Sequence, residues 1–218
     1  MPKTVDDTTR PEHLSAEDFI LRVRDGASDF HAETVGDHTF NPEITDMFMA
    51  IERKPAAVLV PIVRREPGAT MLFTQRTDNL TSHPGQVAFP GGKIDLDDPS
   101  AEAAALREAE EEIGLSPQDV EMIGRAPDYL TGSGYHIKPV LGLIAPDVDF
   151  RLNEEEVSDV FEVPLAFLMD PANHVMGSRV WQGVRRHYYE MPYGERHIWG
   201  VTAGIVRILY ERLYGERA

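Results

Sequence analysis

The chain contains no cysteine. That excludes disulfides, thiolate metal sites and a cysteine nucleophile, and leaves carboxylates and histidines as the available metal ligands. No apolar run approaches the roughly eighteen residues that a membrane-crossing helix needs. The opening MPKTVDDTTRPEH also lacks the apolar stretch of a signal peptide, so the sequence reads as a cytoplasmic protein. Positive charge is scarce: 21 Lys and Arg stand against 37 Asp and Glu, a net charge of −16. Such a surface repels polyanions, so neither nucleic acid nor an anionic membrane is an expected partner. A small phosphorylated substrate stays compatible where cations and a few local Arg or Lys reverse the sign. The eight histidines show no HxxxH-type spacing, which favours a carboxylate site for Mg²⁺ or Mn²⁺ over zinc. Internal repeats and low-complexity segments are also missing.

With 218 residues and 42% hydrophobic content, the chain is long enough to bury one generous core. Residues 1–13 read as a loose tail. Leu14 to Val23 reads as a short helix capped by Ser15, and residues 25–40 as a polar connector. A second helix is expected from Asn41-Pro42-Glu43 through Ile51. The β-branched run Ala56 to Val63 reads as a buried strand, joined to a strand from Ala69 to Gln75 by the Glu66-Pro67-Gly68 turn as a hairpin. Further strands are expected over 86–89, 120–125, 135–144 and 157–163, and a pair of edge strands around Gly183 over 176–191. Glu195 to Trp199 continues that sheet, and an amphipathic helix runs from Thr202 to Leu213. The glycine-rich stretch 127–134 reads as a loop, mobile or in contact with substrate. Trp181 and Trp199 read first as core or interface residues, with stacking on an adenine ring as the alternative. Arg185 and Arg186 read as exposed edge residues that could meet substrate phosphates.

The most informative stretch is GGKIDLDDPSAEAAALREAEEEIGL, residues 91–115. It reads as a tight glycine turn, an acidic loop and a helix begun by Asp98 and Pro99 and stopped by Gly114. At roughly 100° per residue, Glu108, Glu111 and Glu112 share one stripe, while Leu106, Ala109 and Ile113 form the face toward the core. Arg107 can pair with Glu111, four residues on. As a purely structural choice the acidic stripe is costly. Like charges at these spacings repel by ~0.2–0.5 kcal/mol per pair, and anions in a last turn oppose the helix dipole by roughly 0.3–1 kcal/mol. A hard divalent cation would turn that repulsion into binding energy.

Arg107-Glu108-Ala109-Glu110-Glu111-Glu112-Ile113-Gly114-Leu115 resembles the second half of the Nudix box, R-E-U-x-E-E-x-G-U, with alanine at the first aliphatic position. The first half departs from the usual pattern: the stretch from Gly92 to Arg107 is one residue longer, and Asp97 or Asp98 stands near the position of the loop glutamate. Upstream, Leu72-Phe73-Thr74-Gln75-Arg76, Leu80, His83, Gly85 to Gly92 and Asp95 resemble the additional signature of the coenzyme A diphosphatase branch. The two motifs cover about 45 contiguous residues.

The resemblance implies an α+β Nudix fold, a mixed β-sheet sandwiched between helices. Residues 1–54 are then a tail with packing helices, and 55–218 the Nudix hydrolase domain of a single globular unit. It implies metal-dependent hydrolysis of a diphosphate bond, with Glu108, Glu111, Glu112, a carbonyl of Gly92 and a later acid, Glu156, around Mg²⁺ or Mn²⁺. Glu108, Glu111 and Arg107 are the expected catalytic group, with Arg107 orienting its neighbours. Arg76, His83, Gly91 and Lys93 are the expected substrate contacts. The implied substrate is coenzyme A or a thioester or oxidised form of it, and the resemblance allows a homodimer. Two other readings stand beside this one: a Nudix enzyme for another nucleoside diphosphate compound such as ADP-ribose or NADH, and a Nudix-like binding domain without turnover.

Overall fold

The computed structural model describes residues 13–26, 34–181 and 183–215. In chain order the elements are α1 (Ala16–Gly26), β1 (Thr34–Gly36), α2 (Thr45–Met49), β2 (Lys54–Val63), β3 (Thr70–Arg76), β4 (Val87–Ala88), β5 (Gly91–Lys93) and α3 (Ala101–Ile113). There follow β6 (Val120–Arg125), β7 (Asp128–Leu130), β8 (Tyr135–Ile144), β9 (Val157–Pro164), α4 (Leu165–Leu168), β10 (Val175–Trp181), β11 (Val184–Tyr193), β12 (Arg196–Trp199) and α5 (Gly200–Leu213).

Strand β2 is the axis of the molecule. It pairs in parallel with β8 along its whole length, from Lys54 opposite Tyr135 to Val63 opposite Ile144. A strand buried on both faces needs apolar residues at every position, and the run VLVPIV supplies them. Ala57, Leu59 and Val63 point to one side, where α3 packs through Ala104, Ala105, Ala109 and Ile113. Val60 and Ile62 point to the other, where α1 contributes Phe19 and Val23 and α5 contributes Ile205, Val206 and Leu209. The small alanines let α3 sit close on the sheet, and this closeness brings its carboxylates to the edge of β5. The result is a mixed nine-stranded sheet between helices, the α+β arrangement expected from the sequence. A separate antiparallel sheet, β10-β11-β12, packs beside it.

Several local expectations change. Strands β2 and β3 form the expected antiparallel hairpin, but they pair only at Ile62–Met71 and Val63–Thr70 before splaying apart. The parallel partner β8 takes β2's remaining hydrogen-bonding capacity on one edge, and β5 pairs on the other. The acidic helix starts two residues later than expected. Ser100, not Asp98, accepts the first free amide, from Ala103 at 3.2 Å. The second helix shrinks to a 3₁₀ turn followed by five residues ending at Met49. The connector contains β1, which pairs in parallel with β7 inside the supposed loop 127–134. The tail, apart from His13, together with residues 27–33 and the side chain of Trp181, lies outside the described residues.

Gly114 ends α3 at φ 69°, in the left-handed region, and a Cβ there would lie 2.9 Å from the Cβ of Arg151. Gly114→Ala is therefore expected to destabilise the protein by roughly 1–2 kcal/mol, read by urea denaturation. Unchanged stability would show that the helix end does not need this turn.

Candidate active site

The site grows from the contact between α3 and β5. Antiparallel pairing sets Gly91 opposite Val58 and Gly92 opposite Ala57. Neither glycine has room for a side chain. A Cβ on Gly91 would lie 2.4 Å from the Ala57 carbonyl oxygen, and one on Gly92 would lie 2.5 Å from the Glu108 carboxyl. Glu108 thus rests directly on bare backbone. One turn on, Glu112 is only 4% exposed. It accepts the Gly91 amide at 3.3 Å and faces Arg76 Nη1 at 3.8 Å.

Glu156 arrives from a loop tied at both ends. The carbonyls of Glu112 and Ile113, which end the helix, accept the amides of Asn153 and Arg151, satisfying groups that a helix C-terminus leaves free. On the other side, the Thr77 amide donates to the Glu156 carbonyl at 3.0 Å, and the Thr77 hydroxyl to Glu155 at 3.1 Å. The loop that caps α3 is in this way the loop that supplies the third acid.

Arg107 organises the outer rim. Its Nε and Nη2 hold both oxygens of Asp98, at 3.1 and 2.9 Å. Its Nη1 donates to Glu108 and to Glu111, each at 3.0 Å, and Nη2 reaches the Lys93 carbonyl at 3.2 Å. Of the two loop aspartates, Asp98 is therefore the one that engages the helix. Hydrogen bonding from Arg107 lowers the Asp98 pKa. Glu111, with its side chain 58% exposed, turns outward at this rim, while Glu108 and Glu112 turn inward.

Burial raises the pKa of Glu108, against the pull of Arg107. It raises Glu112 to about 8, against the Gly91 amide and Arg76, with Glu108 and Glu156 adding to the rise. Glu112 is thus a buried acid short of positive charge. Among the described residues, no three acidic or histidine side chains already converge closely enough to hold an ion, so joint ligation by Glu108, Glu112 and Glu156 would require side-chain movement. Their chemistry nevertheless fits a hard cation: all donors are oxygens, partly desolvated, with surplus negative charge.

These residues line a cavity of about 870 Å³, within the size range of small-molecule sites. Arg76, His83, Gly91 and Lys93 line the same cavity. His83 holds a left-handed backbone at φ 55°, and its Nδ1 lies 2.9 Å from Gln86 Oε1. The Nε of Arg76 is buried without a hydrogen-bond partner among the described residues.

Sequence reasoning missed part of the wall. Asp37, Asn41 and Phe48 line the cavity. Thr131, from the stretch read as a possible substrate contact, lines it too, as does Trp199, in keeping with the alternative to its core reading. Asn41 is fixed by long-range bonds, its amide donating to the His187 carbonyl and its Oδ1 accepting the His187 amide. No local pattern carries such a pairing. The glycines of 127–134 and the arginines near Gly183, of which Arg186 lines the cavity, were the signals available on that side.

A family model for the NUDIX domain matches residues 53–181. The protein named "Uncharacterized Nudix hydrolase NudL" of Escherichia coli (strain K12) is 46% identical over 160 residues, 73% of this chain and 82% of its own length. Its namesake in Enterobacter sp. (strain 638) is 44% identical over 168 residues, with the same coverage. Among solved structures, a C. elegans Ap4A hydrolase binary complex aligns over 51% of this chain and 80% of its own, with 19% identity and a TM-score of 0.42.

A carboxyl whose folded pKa lies above its unfolded value contributes stability below the unfolded pKa and loses it as pH rises through the folded one. For Glu112 that window runs from 4.5 to about 8. The metal-free protein should therefore lose stability across this range, by on the order of 2 kcal/mol, relative to Glu112→Gln, which keeps the shape without the charge. Thermal unfolding in chelator at pH 5 and pH 8.5 reads it. Parallel pH profiles for the two proteins would refute the assignment.

Proposed function

The chain belongs to the Nudix hydrolase family, and from that premise we propose that it hydrolyses the diphosphate bond of coenzyme A or one of its derivatives. The products are 4′-phosphopantetheine, or its acyl form, and adenosine 3′,5′-bisphosphate. The observation that carries the diphosphatase chemistry is the pair Glu108 and Glu112, pressed against Gly91 and Gly92 with too little positive charge to balance them. What supports coenzyme A in particular is the stretch from Leu72 to Asp95, whose Arg76, His83 and Gln86 line the cavity. No helix among the described residues is long and apolar enough to cross a membrane.

Glu108, Glu112 and Glu156, with a backbone carbonyl of the glycine pair, would hold Mg²⁺ or Mn²⁺. Bound there, the ion would neutralise diphosphate oxygens and lower the pKa of a water molecule. The chain's own groups do the rest. Arg76, beside Glu112 and with an unused buried Nε, offers N–H donors to a phosphate oxygen. Arg107 holds Glu108 and Glu111 in fixed orientation, and Asp98 holds Arg107. Glu108 faces the cavity, whereas Glu111 is exposed at its rim. Glu108 is thus the better-placed acceptor for the proton of the attacking water. The water oxygen attacks one phosphorus in line, the bridging P–O bond breaks, and the second phosphate leaves with the bridging oxygen.

Two assays test this. With Mg²⁺ or Mn²⁺, coenzyme A should be turned over with higher kcat/KM than ADP-ribose, NADH or nucleoside triphosphates. Better turnover of ADP-ribose would discard the substrate and keep the reaction. Glu108→Gln should lower kcat by about 10²–10³-fold, the scale of a lost general base. A variant with full activity would remove Glu108 from the chemistry.

A further inference from the structure

The second sheet sets two arginines face to face. Arg179 on β10 and Arg186 on β11 are partners in antiparallel register, so their side chains leave the same face of the sheet, and both line the cavity. Like charges directly opposite across a strand pair destabilise a sheet, and Asp37 is the one acid near Arg186 among the described contacts. The Nε of Arg186 is buried with no acceptor among the described residues. Asp37 lies within reach of its field, but the two Asp37 oxygens already accept from the Tyr129 hydroxyl at 2.8 Å and the Gly132 amide at 2.7 Å. Glu190, on the same face of β11, is hydrogen-bonded to His197 at 2.8 Å.

Aromatic surface adjoins the two guanidinium groups. Tyr188, two residues beyond Arg186 on the same face, lies over Gly177, where a Cβ would come within 2.8 Å of its ring. Trp199 stands edge-on to Tyr188, with ring centroids 5.5 Å apart, and both line the cavity. Arg186 Nη1 lies beside Gly132 and Asp37, where a Cβ on Gly132 would come within 3.0 Å of it, whereas Arg76 Nη1 lies 3.8 Å from Glu112. The cationic groups therefore serve two different places.

We propose that Arg179 and Arg186 form a second anion subsite that takes a phosphate monoester carried on the nucleoside half of the substrate, with Tyr188 and Trp199 walling the ring system. A dianionic phosphate offers three acceptor oxygens to two planar guanidinium groups and matches their combined charge. In the proposed reaction the cleaved diphosphate is assigned to Glu108 and Glu112, which leaves these arginines for a further anionic group of the substrate. The inference rests on the diphosphatase reading for the position of the scissile bond.

The test compares binding of adenosine 3′,5′-bisphosphate and 5′-AMP by titration calorimetry, alongside turnover of coenzyme A and its 3′-dephospho form. The wild-type protein should bind the bisphosphate at least ~10-fold more tightly, and Arg186→Gln should bring the two ligands within about threefold while leaving AMP unchanged. Arg179→Gln, at an exposed position, should act in the same direction and keeps the test valid should Arg186→Gln fail to fold. Equal affinity of the wild-type protein for the two ligands, or an equal loss of both in the variants, overturns the subsite. A preference that depends on these arginines, in a protein that does not cleave coenzyme A, upholds the subsite and removes the substrate. Cleavage of coenzyme A with unchanged KM in both variants does the reverse.

Discussion

The site depends on a carboxylate held out of water with too little charge against it. Glu112 is buried at the end of a helix whose dipole disfavours an anion there. Glu108 lies one turn behind, and Glu156 closes in from a capping loop. A fold that gained nothing from this arrangement would have placed apolar side chains at the two inner positions, since taking carboxyl groups out of water with only partial compensation is costly. The glycine pair removes the side chains that would otherwise keep these acids apart from backbone. The alanine face of α3 lets the helix approach closely enough for the contact to form.

Around this strained centre, the supporting groups are fully engaged. Arg107 commits its donors to Asp98, Glu108, Glu111 and the Lys93 carbonyl. It fixes one rim of the cavity without entering it. The acidic loop has an aspartate where the usual box has a glutamate nearby, and the aspartate holds the arginine that holds the helix acids. Satisfied rim and unsatisfied interior differ in what they do: the rim preorganises, and the interior waits for positive charge. The same contrast recurs on the second sheet, where paired arginines face the cavity with opposite sign.

The sequence made the central part legible because its signals are local. The glycine pair, the acidic helix and its Gly114 stop all fall within 25 residues, although the expected glycine turn is strand β5, and the apolar run of β2 announced a buried strand. Helix start was misread because Asp98 and Ser100 are both good caps, and only the pull of Arg107 on Asp98 decides between them. The β2–β3 hairpin was legible but its shortness was not, because periodicity does not reveal that a strand far along the chain, β8, pairs with β2 in parallel. The far wall of the cavity was hidden for the same reason. Asn41 and His187 are 146 positions apart and meet through bonds between the Asn41 side chain and the His187 backbone, which leave no composition signal.

The most direct test of the central claim is the anomalous difference density of Mn²⁺ in crystals of the protein. The expected result is a peak about 2.1 Å from carboxylate oxygens of Glu108 and Glu112, beside Gly91 and Gly92, with both side chains drawn toward it. A peak on the outward-facing Glu111 alone, or no peak at saturating Mn²⁺, would contradict the view that these buried acids are held apart for a divalent cation.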